Sequence, residues 1–351
     1  MKIAQVSPLF ESVPPKGYGG TERVVSYLTE ELVGLGHDVT LFATADSQTS
    51  ARLVPVAEEN LRGAALNPVF LSFHTLQLGL LGNMAHKFDV IHFHTDFLQF
   101  PMARHLSTAH VTTLHGRLDL PELKPLYRHF HDVPLVSISD SQRLPLPWVN
   151  WRRTVYHGLP PELYAFNASP KDYCVFLGRI SPEKRPDRAI EIAVRAGMPL
   201  YIAAKVDPAD SAYFETSIKP LLNHPLVNFI GEVHEAEKRE LLGNARALLF
   251  PIDWPEPFGL VMIEAFACGT PVIAYPHGSV PEIVTDGLTG FLVNSQDQAV
   301  EAVQRIGSIS RRRCRDAFEQ RFTARHMAQD YLRLYEELQT RSERPFPLTS
   351  A

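Results

Sequence analysis

Cysteine is scarce in this chain: Cys174, Cys268 and Cys314 are the only three in 351 residues. Their scattered positions exclude a disulfide framework or a cysteine metal cluster. Cys174 and Cys268 lie in apolar runs and read as small core residues rather than reactive thiols. No apolar run approaches the roughly 18 residues that a membrane-spanning helix needs. The opening MKIAQVSPLFE is too short and too soon interrupted to be a secretory hydrophobic segment, so a soluble, cytoplasmic chain is expected. Positive charge is not in excess either. The 34 Lys and Arg against 39 Asp and Glu leave a net charge of -5, which argues against a dedicated nucleic-acid binder.

What is present is an ordinary globular mixture, 45% hydrophobic and 21% charged, in a chain too long for one core. Two domains are therefore expected. Short β-rich runs at Lys2–Ser7, Asp38–Thr44, Asp89–Phe93, His110–Leu114, Leu135–Ile138 and Thr154–Tyr156 alternate with helical spacing, clearest at Val24, Val25, Leu28, Leu32 and Leu35. The pattern restarts at Tyr173–Leu177 and recurs at Leu200–Ala204, Val227–Ile230, Ala247–Phe250, Pro271–Ala274 and Gly290–Val293. Strands separated by helices imply parallel sheets with crossover helices. Pro160, Pro161, Asn167, Ser169 and Pro170 mark the best linker. The expected division is 1–160, 161–325 and a terminal helix and tail over 326–351, with the whole of Arg311–Glu337 helical and its apolar face packed back on the first domain. Two α/β sheets joined this way put a ligand cleft at strand C-termini.

The most informative stretch is PEPFGLVMIEA, residues 255–265. A proline-bounded loop opens into a helix near Gly259, so the N–H groups of Phe258, Gly259 and Leu260 form a natural phosphate cradle. Glu264 falls in the second turn, too deep to cap. Beside an anion site a carboxylate makes sense if it accepts hydrogen bonds from sugar hydroxyls. Taken alone, it reads equally well as a solvated helix residue.

GRISPEKRP, residues 178–186, follows a strand and precedes a helix. Arg179 and Lys184 at a strand C-terminus can neutralise a departing diphosphate, against the plainer reading of a solvated basic loop, while Arg185 reads as surface. An early loop with Gly17, Gly19 and Gly20 precedes a helix, but Glu22 holds the third glycine position of G-x-G-x-x-G and no Walker lysine follows. A dinucleotide reading is weak, whereas close approach of the Gly19 and Gly20 backbone to a phosphate or sugar remains sensible. His92 and His94 face the same way along one strand, with Asp96 nearby, yet no third spaced ligand makes a metal site. Asp-x-Asp, a common metal handle for sugar diphosphates, does not occur. His115, ending the next strand, is the histidine expected to function.

With these residues in view the chain resembles the family-4 retaining glycosyltransferases, of GT-B architecture, over essentially its whole length. The resemblance rests on Glu256 to Glu264 within EPFGLVMIEAFACGTPVIA, together with GRISPEKRPD, GYGGTERVV, LHG at His115 and GEVHEAEKRELLGNA. It implies that Glu264 is the ribose-binding carboxylate and that Glu256 contacts donor-sugar hydroxyls. Arg179 and Lys184 would clamp the diphosphate, Gly19 and Gly20 approach donor phosphates or acceptor, and His115 stand near the donor sugar. Glu232 and Val233, with His234, would edge the base pocket. The family's usual asparagine before the hinge glycine is His157 here, which puts any contact of that side chain in doubt.

The resemblance implies two Rossmann-like domains, the first binding acceptor and the second binding donor, and a metal-independent hexosyl transfer with retention. UDP and glucose are expected from family frequency. No cofactor is expected; the nucleotide sugar is a substrate. The partners are that nucleoside-diphosphate sugar and a hydroxyl acceptor, whether sugar, lipid-linked or small molecule, with peripheral membrane contact left open. A sugar phosphorylase of the same fold and a non-catalytic nucleotide-sugar sensor are the alternatives. A glycoside hydrolase would need two carboxylates as acid and nucleophile and would have no use for the paired cations.

Overall fold

The computed structural model describes residues 1–17, 19–62 and 68–342, the last two as backbone only. Tyr18 of the glycine loop and the tail from residue 343, expected to be loose, lie outside the described residues. The chain divides into two compact units, Met1–Gly158 joined by the chain from Ala324 onward, and Leu159–Thr323.

The first unit is built on seven parallel strands: β1 (Lys2–Val6), β2 (Asp38–Ala43), β3 (Arg52–Pro55), β4 (Val90–Phe93), β5 (Ala109–Thr113), β6 (Leu135–Ser137) and β7 (Trp151–Thr154). They lie in the order β3-β2-β1-β4-β5-β6-β7. β1, β2 and β4 are buried along almost their whole length, as strands covered on both faces must be, and Ile3, Val6, Phe42, Ile91 and Phe93 form their core. The second unit repeats the design with β8 (Cys174–Arg179), β9 (Leu200–Lys205), β10 (Val227–Gly231), β11 (Ala247–Phe250), β12 (Val272–Ala274) and β13 (Gly290–Leu292), ordered β10-β9-β8-β11-β12-β13. In each sheet the winding reverses beside the first strand, between β1 and β4 and between β8 and β11. Loops leaving the C-terminal ends of those strands diverge and leave room for a ligand.

Several expectations need correcting. β7 begins three residues earlier than expected and pairs Leu135 with Trp151 and Ser137 with Thr154. As an edge strand it carries Arg152 and Arg153, which hide its period in the sequence. β3 at the other edge escapes notice for the same reason: its four residues are half-buried or exposed. The helix Pro68–Met84 has no charged residue and so no polar stripe to mark it.

The single helix expected over 311–337 is two helices, Arg311–Arg321 and Ala324–Ser342. The break has a cause: the Phe322 carbonyl accepts from the Leu159 N–H at 2.9 Å, and Leu159 bridges Thr323 in parallel. That bond draws the carbonyl out of the helical ladder. The expected linker is tied by hydrogen bonds to the rest of its unit. Asn167 donates to the Gly243 carbonyl at 3.0 Å, and Arg315 donates to the carbonyls of Pro161 and Tyr164 at 2.9 and 2.8 Å. The second helix belongs to the first unit, where Tyr331, Leu334 and Tyr335 are fully buried. All three cysteines are buried, and burial pushes each thiol up to about 12. Among the described residues no helix is long and apolar enough to cross a membrane.

Candidate functional site

In the second unit the loops after β8 and β11 meet. The β8 loop carries Arg179 at the strand's last position and Lys184 five residues on. The β11 loop carries Trp254, Glu256 and Gly259. Lys184 Nζ forms an ion pair with Glu256 Oε2. The same oxygen accepts from Trp254 Nε1 at 3.0 Å, and the Lys184 ammonium lies 4.8 Å from the Trp254 ring centroid. Both partners are well shielded, Lys184 16% and Glu256 10% exposed at the side chain, so removing one strands a buried charge. Arg179 stands among three carboxylates, donating to Glu183 at 3.0 Å and lying 3.5 Å from Asp207 and 3.8 Å from Asp210.

The loop that holds Glu256 is fixed from behind. Gly278 is left-handed, φ +60°, and a Cβ there would meet the Glu256 backbone nitrogen at 2.3 Å. Ser279 donates its N–H to the Glu256 carbonyl at 2.9 Å and its hydroxyl to the Phe258 carbonyl at 2.8 Å. Gly259, φ +80°, turns the chain into the helix Leu260–Cys268, and no side chain caps that end. A Cβ on Gly259 would strike Met262 at 2.7 Å. This uncapped, glycine-hinged helix N-terminus points its dipole to where the phosphate cradle of Phe258, Gly259 and Leu260 was expected.

Glu264 is not a solvated helix residue. It is 5% exposed and receives a hydrogen bond from Lys238 Nζ at 2.8 Å. Lys238 is shared with Glu235 at 3.0 Å, and Glu235 in turn accepts from Tyr164 Oη at 2.7 Å. The expected edge residues Glu232 and Val233 follow β10. Glu232 is exposed and Val233 half-buried, immediately before His234, which caps the helix Glu235–Asn244. Arg185 is less of a surface residue than expected: it adopts φ 53° and pairs with Asp187 and Asp253.

The far ends of both helices are tied to one cation. Arg311 donates to the carbonyls of Ala245 and Gly243, each at 2.8 Å, to Asn167 O at 2.6 Å and to Thr270 Oγ1 at 2.9 Å. A guanidinium at helix C-termini complements their negative ends and fixes the helices relative to each other within this unit.

In the first unit Gly19 is the N-cap and Gly20 the first residue of the helix Gly20–Gly34. His115, two residues past β5 and itself half-buried, joins an array of the buried imidazoles His92, His94 and His157. Its Nε2 lies 2.9 Å from His94 Nδ1, and its ring stacks on His157 at 5.3 Å between centroids. His92 bonds Tyr335 Oη and Thr113 Oγ1, each at 2.7 Å. Burial drives the pKa of His115 down to about 3; burial and neighbouring imidazoles push His92, His94 and His157 well below the ordinary histidine value. Glu22, in the place of the third glycine, is buried, and desolvation raises its pKa to about 7. Among the described residues no group of three potential ligands could hold a metal.

The glycosyltransferase family 4 pattern matches residues 18–160, and that of the group 1 glycosyl transferases matches 165–321. The chain belongs to the group 1, family-4 glycosyltransferases. This glycosyltransferase is 26% identical to a glycogen synthase of Mycobacterium tuberculosis, with 95% of this chain and 94% of the relative aligned. It is 32% identical to a D-inositol 3-phosphate glycosyltransferase of Geodermatophilus obscurus over 50% of this chain and 43% of that one. The GT-B fold is shared with AviGT4, a glycosyltransferase involved in avilamycin A biosynthesis, at a TM-score of 0.77 and 24% identity over 97% and 98% of the two chains. It is shared also with Anabaena HepE in complex with UDP and glucose, at a TM-score of 0.74 and 18% identity over 96% and 100%.

Sequence reading of this glycosyltransferase missed Lys238 and Trp254 as site neighbours. Lys238 lies 26 positions before its partner Glu264, and nothing local marks it. Trp254, two residues before Glu256, was within reach: an aromatic beside a proline-bounded acidic loop is a candidate cation partner.

Proposed function

We propose that this glycosyltransferase moves a hexose, glucose, from UDP-glucose to a hydroxyl acceptor, with retention and without a metal, in glycan or glycoconjugate biosynthesis in the cytoplasm. The observation that carries the reading is the pairing of Lys184 with Glu256 beside an uncapped helix N-terminus. An ammonium and a helix dipole are already assembled where a diphosphate would accumulate charge. HepE, which shares the fold and whose crystal structures hold UDP, glucose and UDP-glucose, supports the choice of nucleotide and sugar.

In this reading the second unit binds the donor and the first the acceptor. Glu264 accepts hydrogen bonds from the ribose hydroxyls, steadied by Lys238. Glu232 and Val233 edge the base, and Gly259 and its neighbours meet the phosphates. The bond between the anomeric carbon and the diphosphate oxygen breaks. Lys184 and Arg179 stabilise the negative charge left on the diphosphate. The acceptor hydroxyl attacks from the face the diphosphate has left, and its proton passes to the departing phosphate. Glu256 holds a sugar hydroxyl while the ring gains positive charge. Gly19 and Gly20 let backbone approach the donor phosphates or the acceptor.

The test is release of free nucleoside diphosphate from a panel of UDP-, ADP- and GDP-sugars, with the anomeric configuration of the product read by NMR. UDP released from UDP-glucose with an α-linked product supports the proposal. An inverted product, or turnover only when inorganic phosphate is supplied, overturns it. Binding without release from any donor would make the chain a sensor.

A further inference from the structure

The histidine array has a direction. Gln5, on β1, is completely buried and its amide faces two partners: Tyr335 Oη at 3.2 Å and His94 Nε2 at 2.8 Å. The longer contact fits an N–H donor to oxygen and is too long for a hydroxyl donating to a carbonyl. So Gln5 turns its NH2 toward Tyr335 and its carbonyl oxygen toward His94. A carbonyl only accepts, so His94 carries its proton on Nε2. Packed among His92, His115 and His157, the His94 imidazole is neutral, and its Nδ1 therefore carries a lone pair. That lone pair lies 2.9 Å from His115 Nε2, which must then be the protonated nitrogen of His115. What remains is His115 Nδ1: a buried, proton-free nitrogen with no hydrogen-bond partner. Unpartnered buried polar atoms are rare and call for an explanation.

We propose that Gln5 and His94 are positioning residues that hold His115 in its Nε2–H form, so that Nδ1 accepts a hydrogen bond from a hydroxyl of the carbohydrate substrate. The proposal rests on the glycosyl-transfer reading above and adds a sign to it. A histidine held this way cannot donate from Nδ1, so it recognises a donor group rather than a phosphate or carboxylate oxygen. A neutral imidazole is also required, because protonating Nδ1 would remove the acceptor. Three side chains from three adjacent strands, β1, β4 and the end of β5, set one lone pair at the point where the sheet's winding reverses.

The experiment uses the full chain labelled with 15N-histidine and long-range 1H–15N correlation near neutral pH, with His115→Asn to assign the signals. The expected result is His115 protonated at Nε2 and bare at Nδ1. Gln5→Met keeps the bulk but removes the acceptor, and should convert His115 to a mixture of tautomers; Gln5→Glu, which keeps an oxygen facing His94, should restore the single form. In parallel, Gln5→Met should lower kcat/KM for UDP-glucose about tenfold, the scale of one lost hydrogen bond, with calorimetric UDP affinity unchanged. His115 protonated at Nδ1 in the parent protein overturns the proposal, as does a tautomer indifferent to Gln5→Met. The measurement on the parent protein stands even if Gln5→Met does not fold. The expected tautomers in a protein that turns over no nucleotide sugar would sink the glycosyl-transfer reading and the sugar-hydroxyl role, leaving only the tautomer lock.

Discussion

Acid should unfold the first unit far more readily than ordinary histidine titration would suggest. His92, His94, His115 and His157 are neutral in the fold, all with pKa values depressed, first of all by burial. In the unfolded chain they return to the ordinary histidine value of 6.5. A depressed native value means that the unfolded state binds more protons below that point. The stability is complete above pH 6.5 and is lost as the pH falls. Between about pH 7.5 and 5.5 each histidine costs roughly 1.4 kcal/mol by this linkage.

Glu22 works the other way. Its native pKa of about 7 stands above the unfolded 4.5, so its contribution is present below 4.5 and lost as pH rises through 7. Acidification over the same window returns roughly 2 kcal/mol. The histidines outweigh it, and the net loss is about 3–4 kcal/mol, a large part of an ordinary domain's stability. Urea unfolding at the two pH values measures it. Trp148 and Trp151 report on the first unit once Trp254→Phe silences the second. The midpoint should fall by about 1.5–2 M for a slope near 2 kcal/mol per molar. His157→Asn should remove about a quarter of the histidine share. A midpoint equal or higher at the lower pH would refute the neutral, buried array.

Glu22→Gln should stabilise the first unit by about 3 kcal/mol near pH 7.5 and by about half that near pH 5.5, as read by the same unfolding curves. Glu264→Ala should raise KM and weaken UDP binding in calorimetry with kcat largely kept. Glu256→Ala should instead cost about 2.7–4 kcal/mol in kcat and leave UDP affinity nearly unchanged. The reverse pattern would exchange the two carboxylates' roles. Activity should survive excess EDTA, because Lys184 and Arg179 supply the positive charge; loss in chelator with rescue by magnesium or manganese would refute that.

Both parallel sheets were legible because buried strands such as Ala247–Phe250 and Val272–Ala274 are continuous apolar runs between turn residues. The edges of the first sheet were not: β3 was missed and β7 placed three residues late, since both are short and half-exposed. Nor was the interruption at Phe322, which depends on a hydrogen bond from Leu159, 163 positions earlier in the chain. The acidic loop, its helix and the basic loop could be read as a site because each is a local pattern. Their ion pairs could not: Lys184 and Glu256 are 72 positions apart, and only the sheet order brings β8 beside β11. The Gln5–His94 contact spans 89 positions and leaves no trace in either neighbourhood.

The second unit is an insertion within the first, and this sets an order of events during synthesis. The segment 159–323 has emerged in full before Tyr331 and Tyr335 leave the ribosome. Those tyrosines close the first unit: Tyr335 meets Gln5 and His92, and Tyr331 meets Thr113. Until then, the polar groups of β1, β4 and β5 are without their final partners, while the second unit already has all of its own chain. The half of the molecule made first is thus the half completed last. A nascent chain with residues up to about 323 clear of the ribosome would carry a finished second unit on an unfinished first one, the reverse of the usual N-terminal-first order.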